Sequence, residues 1–228
     1  MRRLPIAAAA ALGLAGCAGP QPVVYSDLES ASHLRPSADD DNGRIPYAYS
    51  VPVNWRRYYR IIIDPVQVYK GPDAQFGKIP PRGQDYLAHY MQERFTKRLS
   101  RDFEIVRKPR PSTLRLKLTL TGAHPTPPVI GTFSHFDLAG GPYNAVQGLR
   151  GKPGMVSGAV MYAVEIHDAR SGRLLYAQVT KQYPGALNIG ASFGAMKAAK
   201  KGIDKGADEL AEQITRNEPG LAQDDRQR

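Results

Sequence analysis

Between positions 113 and 121 apolar and polar residues alternate without a fault, with Leu114, Leu116, Leu118 and Leu120 on one side and Arg115, Lys117 and Thr119 on the other. A period of two puts these sets on opposite faces of a strand. The same period returns over 159–168 through Val160, Tyr162, Val164 and Ile166. After Asp168-Ala169-Arg170-Ser171-Gly172 the chain runs back over 174–183, which predicts a hairpin with a glycine-containing loop. Upstream, Ile61-Ile62-Ile63 with Val66 and Val68 predicts a strand over 59–69, where Pro65 requires an edge or a bulge. Residues 103–106 make a further brief strand.

Two stretches change the period. Leu87, Met91, Phe95 and Leu99 stand four apart and line one face of a helix over 84–101. Met196, Ile203, Ala207, Leu210 and Ile214 face one way over 193–215, and Lys197, Lys201, Lys205, Asp208 and Glu212 face another. That second helix carries Gly202 and Gly206 in its interior, each costing about 1 kcal/mol relative to alanine, so packing has to compensate. Separated helices beside mostly antiparallel strands predict an α+β domain, with four or five strands and two helices packed on one face of the sheet. A single domain over 53–216 is expected, interrupted by a Gly/Pro-rich insertion over 122–158 and followed by a loose tail over 217–228.

The first 52 residues lack either period. Met1-Arg2-Arg3, an apolar run from Leu4 to Leu14, and Leu14-Ala15-Gly16-Cys17 make a positive start, a short apolar core and small residues at a cleavage point. The run falls well short of the roughly 20 residues that cross a bilayer. A cysteine directly after Leu-Ala-Gly resembles the bacterial lipobox, which implies lipid attachment at Cys17 with removal of a leader over 1–16. The thiolate is a good nucleophile for that chemistry, and several acyl chains together hold a protein firmly to a membrane. Under the sorting rule of the same pathway, Ala18 in place of an aspartate favours the outer membrane. Residues 17–52, broken by Pro20, Pro22, Pro36, Pro46 and Pro52, read as a disordered lipidated tether, although Tyr25, Leu28, Leu34, Tyr47, Tyr49 and Trp55 suggest that parts of this N-terminal region lie against the domain.

Composition narrows the setting. Apolar content of 42% and charged content of 23% are globular values. One cysteine allows no internal disulfide. Without Arg2 and Arg3 there remain 29 basic side chains against 21 acidic ones, so the mature chain carries +8 and favours polyanions. An exported protein meets lipid and lipopolysaccharide phosphates or peptidoglycan carboxylates, and nucleic acid is not an expected partner. A solvated basic surface with no dedicated partner is the bland alternative.

Candidate chemistry is sparse. Glu165 and His167 share a strand face with Asp168 beyond, which would suit a general acid and base, or simply a solvated, salt-bridged face. The five histidines are scattered, so no metal set is expected. Gly148, Gly151 and Gly154 neither follow a parallel strand nor open a helix, so no cofactor is expected. The 122–158 insertion holds eight glycines and five prolines interleaved with Phe133, Phe136, Tyr143 and Leu149. It reads either as a contact loop for a partner or lipid surface, or as a disordered excursion. Lys197, Lys200, Lys201 and Lys205 are candidate contacts for anionic lipid.

Leu34, Pro36, Trp55, Tyr58, Ile62-Ile63-Asp64-Pro65-Val66, Gly71-Pro72-Asp73-Ala74-Gln75-Phe76, Leu114-Arg115-Leu116, and Glu165 with Asp168, Ser171 and Gly172 resemble a family of bacterial lipoproteins, domain of unknown function 3313. The likeness spans about residues 25–215. It implies a single periplasm-facing domain on a lipid anchor and carries no catalytic residue across. The function expected from all this is a non-enzymatic binding or assembly module of the envelope. An enzyme acting on an envelope polymer through Glu165, His167 or Asp168, and direct binding of anionic lipid through the basic C-terminal helix, are the alternatives.

Overall fold

The computed structural model describes residues 21–38, 40, 43–125, 158–183 and 196–216. Its centre is the antiparallel trio β6 (Thr113–His124), β7 (Ala159–Asp168) and β8 (Leu174–Gln182). Register pairs Leu118 with Val164 and Ala163 with Val179. The leucine row of β6 and the Val160, Tyr162, Val164 and Ile166 row of β7 fall on one face, where all are buried. Two helices cover that face: α1 (Pro81–Leu99), opened by a proline at its first position, and α2 (Lys197–Arg216). Leu87, Met91, Phe95 and Leu99 of α1 are each 0% exposed. Phe95 meets Tyr162 edge-on with centroids 5.9 Å apart, a geometry worth about 0.5–1.5 kcal/mol beyond the burial itself.

The sheet extends further than its long strands. Beyond β8 lie β2 (Tyr47–Ser50) and β1 (Arg35–Pro36), both antiparallel. On the other side of β6 lie β3 (Arg60–Ile63), β4 (Gln67–Val68) and, outside β3, β5 (Glu104–Ile105). These three pair in parallel: β3 and β4 lie one after the other along β6, and β5 lies along β3. The expected four or five mostly antiparallel strands are thereby corrected to one mixed sheet of eight. Two causes account for the difference. The passage from β4 to β6 goes through α1, and a helical crossover returns the chain in the same direction. In addition, β1, β4 and β5 are two residues long, too short to show a period.

The expectation of a disordered N-terminal tether is corrected as well. Tyr25, Leu28 and Leu34 are buried with Tyr69, Ala163, Ala177 and Val179 in a second apolar cluster. This cluster lies on the sheet face opposite the helices, because Ala163, Ala177 and Val179 alternate with the residues beneath α1 and α2. An antiparallel sheet with one face left bare would need polar residues there; the segment from residue 21 to 34 supplies the cover instead. At the next turn, Asp40 accepts the N–H groups of Arg44 and Ile45 at 2.7 and 2.9 Å, and the Arg44 guanidinium pairs with Glu209 of α2.

Gly202 and Gly206 have the packing reason that their helix cost called for. A Cβ on Gly202 would stand 2.8 Å from Val160 Cγ1 and 2.9 Å from the Gln182 carbonyl, and one on Gly206 would run into the Tyr162 hydroxyl. The absent side chains let α2 lie close on β7 and β8. Among the described residues no helix is long and apolar enough to cross a membrane.

Candidate functional site

The N-terminal segment and the sheet border an open cleft of about 400 Å³, lined by Asp27, Glu29, Tyr69, Lys70, Thr119 and Glu165 among others. Its outer wall is held by a chain of contacts. The Tyr25 hydroxyl donates to Gln75 Oε1 at 3.0 Å, Gln75 Nε2 donates to the Gln21 carbonyl at 2.9 Å, and the Tyr25 and Tyr69 rings are tilted with centroids 5.1 Å apart. Tyr69 in turn donates to Asp73 at 2.7 Å. Burial pushes the Tyr25 hydroxyl up to about 12, so it stays a donor throughout the ordinary pH range. Closer to the middle of β6, Lys117 pairs with Glu29, and this hydrogen bond holds the Glu29 carboxyl below its usual range.

Glu165 and His167 share the face beneath this segment, 4% and 5% exposed. The Ser30 N–H donates to Glu165 Oε1 at 2.6 Å, and His167 Nδ1 lies 3.1 Å from the Gly172 carbonyl. Glu165 and His167 themselves are therefore covered, and the cover comes from residues whose sequence shows no period. His167 Nε2 and Ser30 Oγ are buried without a partner among the described residues. Asp168 is set apart at the hairpin end. Its Oδ1 accepts the N–H groups of Arg170 and Ser171 at 3.1 and 2.9 Å and the Ser171 hydroxyl at 2.9 Å, while Oδ2 accepts the Tyr58 hydroxyl at 2.9 Å. Gly172, at φ +72°, completes that turn in a conformation other residues rarely adopt. Asp168 thus serves as the anchor of a turn, and the structure does not bring it to Glu165 and the cleft.

The α2 lysines do not form one uniform solvated row. Lys200 Nζ lies 3.2 Å from the Tyr86 hydroxyl and 4.4 Å from the centre of the Tyr90 ring, in the seam with α1. Lys205 sits near Glu209 at 3.9 Å and over the Tyr183 ring, and burial, with the Arg44 charge second, lowers its pKa against the pull of Glu209. Lys197 and Lys201 are exposed, the latter 3.9 Å from Asp204. Cys17, Phe133, Phe136 and Tyr143 lie outside the described residues. Among the described residues no group of acidic, histidine or cysteine side chains is arranged to hold a metal.

Sequence reasoning missed Asp27, Glu29 and Tyr69 as lining of one cleft with Glu165, and Ser30 and Lys117 as the partners of Glu165 and Glu29. Tyr25 and Leu28 three apart, then Leu34, were the available signal, but an irregular segment that packs through isolated anchors leaves no period.

An α+β domain with one mixed sheet, two helices on one face and its own N-terminal segment on the other is the class that this geometry defines. The chain belongs to the family described as protein of unknown function (DUF3313), whose family model matches residues 24–210. The blocks that carry the resemblance have structural work: Val66 N–H donates to Gln92 of α1 at 2.8 Å, Asp64 lies 3.8 Å from Arg115, Gln75 holds the N-terminal segment, and Asp73 accepts the Tyr69 hydroxyl. No functionally curated protein matches the chain. Among solved structures, it is similar to a PelC dodecamer from Paraburkholderia phytofirmans at 11% identity and a TM-score of 0.37, covering 75% of this chain and 94% of that one. A variant of the same PelC gives 11% identity and 0.38 over 72% and 94%. A Xanthomonas campestris protein of the DUF330 family gives 8% and 0.34 over 70% and 85%.

Proposed function

We propose that this protein is a lipid-anchored module of the bacterial envelope, attached through Cys17 to the outer membrane, facing the periplasm and working by binding rather than catalysis. The observation that carries the reading is how soon after Cys17 the chain enters the fold. The Gln21 carbonyl is already hydrogen-bonded to Gln75, and Tyr25 is 0% exposed. Four residues extend no further than roughly 14 Å, so a lipid on Cys17 would hold the domain close to the bilayer instead of on a long leash. The use of the acid and base candidates supports binding over catalysis. Asp168 is saturated by the hairpin turn, one Glu165 oxygen holds the Ser30 N–H, and His167 Nδ1 faces a carbonyl.

The test is the intact mass and location of the full chain expressed in a bacterial host. A mature protein beginning at an acylated Cys17 in the membrane fraction is expected, with Cys17→Ala released as a soluble or uncleaved species. Membrane attachment that survives Cys17→Ala without acylation would sink the reading.

A further inference from the structure

The two ends of the sheet differ in charge. At the Thr113 end of β6, three loops meet: the 55–59 turn, the 100–112 connection and the 168–173 hairpin. Arg60 N–H donates to the Ser112 carbonyl at 3.3 Å, Glu104 N–H to Tyr59 at 3.0 Å, Ala169 N–H to Thr113 at 2.9 Å, and the Tyr58 hydroxyl to Asp168. These bonds bring Arg56, Arg107, Lys108, Arg110, Arg170 and Arg173, all exposed, onto one end of the molecule. Their local acids are already taken: Glu104 pairs with Arg60 at 2.8 Å, Asp102 with Arg98 at 2.5 Å, and Asp168 holds the turn and Tyr58. Arg57 lies over the Tyr58 ring. Among the described residues no carboxylate is paired with any of the six.

We infer that this end is a docking surface for a carboxylate-bearing polymer. Six like charges on adjoining loops raise the local concentration of a polyanion and speed its capture. Five of the six are arginines, whose planar forks take carboxylates in pairs of parallel hydrogen bonds, which lysine cannot do. The charges are spread over three adjoining loops, a distribution suited to an extended chain of anions more than to one small anion. Location argues for a polymer over the anchoring bilayer. Gln21 leaves the fold at the opposite end, through Gln75, whose backbone bridges to Gly122. The twelve residues of β6 separate the ends by roughly 36 Å. This placement away from the membrane rests on the proposed lipidation of Cys17; the polymer binding itself does not.

The test uses the full chain carrying Cys17→Ala, with polygalacturonate as the polycarboxylate, neutral dextran as its uncharged counterpart and phosphatidylglycerol vesicles as the anionic membrane. Binding to polygalacturonate alone is expected, weakening as salt rises toward about 1 M, where screening acts within about 3 Å. Arg110→Gln combined with Arg170→Gln should weaken it about ten-fold with an unchanged melting temperature. Lys78→Gln combined with Arg82→Gln, an equal loss of charge at the other end, should leave it unchanged. Equal loss from both pairs, absence of binding at low salt, or vesicle binding through the arginines would each overturn the proposal. Failure of the anchoring reading would show separately, in the mass and location of the chain with Cys17 intact.

Discussion

Asp168 shows how a single carboxylate can be fully occupied by structure. Burial alone would raise its pKa, but the N–H groups of Ser171 and Arg170 and the hydroxyls of Tyr58 and Ser171 outweigh it, and the carboxyl titrates below its ordinary value. A folded pKa below the unfolded one means that its contribution is fully present above the unfolded value of 3.8 and is lost as pH falls through the folded one. Asp168→Asn should therefore destabilise the domain at neutral pH by about 1.5–3 kcal/mol, the range for hydrogen bonds to a charged group. Urea unfolding at pH 7 and at pH 3 checks the sign: the gap from the parent protein should narrow in acid, and a constant gap would refute the assignment. Tyr25 makes the matching case for an apolar anchor. Tyr25→Phe removes one hydrogen bond to Gln75 and should cost about 1 kcal/mol, whereas Tyr25→Ala also empties a fully buried site and should cost about 3–5 kcal/mol. Limited proteolysis should then cut first within residues 21–34. Protection equal to that of the parent would mean that Tyr25 does not hold the segment. The sequence could place Glu165 and His167 on one strand face, but not show that Ser30 and Glu29 lie over them, since the covering segment has no period.

Among the elements, α2 sets two opposing effects against each other. Gly202→Ala gains about 1 kcal/mol of helix propensity, yet its Cβ would press on Val160 and on the backbone carbonyl of Gln182, and overpacking of this kind costs about 1–3 kcal/mol. Backbone cannot swing aside as a side-chain tip can, so the net change should be destabilising. A raised melting temperature for Gly202→Ala would show that α2 sits further from the sheet. How much of the architecture was legible follows from element length. The three long strands and both helices show their periods over nine residues or more, and their predicted spans fall within a few residues of β6, β7, β8, α1 and α2. Strands β1, β4 and β5 have two residues each and are defined by their neighbours. Direction is illegible for a different reason: parallel and antiparallel partners place the same residues inward, so Ile61 and Ile62 look alike in either arrangement. The parallel half of the sheet follows from α1 lying between β4 and β6.

At the scale of the whole molecule, the long axis of β6 acquires a direction from what lies at its ends. Near Gly122 and His124, the N-terminal segment leaves through Gln21, β6 ends, β7 begins and β8 ends. Near Thr113 lie the arginine loops. Net charge alone, read from composition, could not reveal this separation, because Arg56, Arg107 and Arg170 are far apart in sequence and only the strand pairings bring them together. If lipid on Cys17 sets the orientation, the domain stands with Lys78 near the bilayer and Lys108 remote from it. The chain contains one cysteine, whose thiol the proposed lipidation would consume, so a single introduced cysteine would then be the only free thiol. Lys78→Cys and Lys108→Cys, both at exposed sites, can each be labelled with a fluorophore in the lipidated protein reconstituted into vesicles containing a quencher-bearing lipid. Quenching is expected at position 78 and not at 108, since roughly 36 Å of strand lies between the two ends. Similar quenching at both sites would mean that the domain lies along the membrane with its arginine loops against the headgroups, and stronger quenching at 108 would invert the orientation. Either result would remove the geometric argument for a polymer partner. The expected one would leave the arginine surface directed away from the bilayer, where an extended polyanion can reach it.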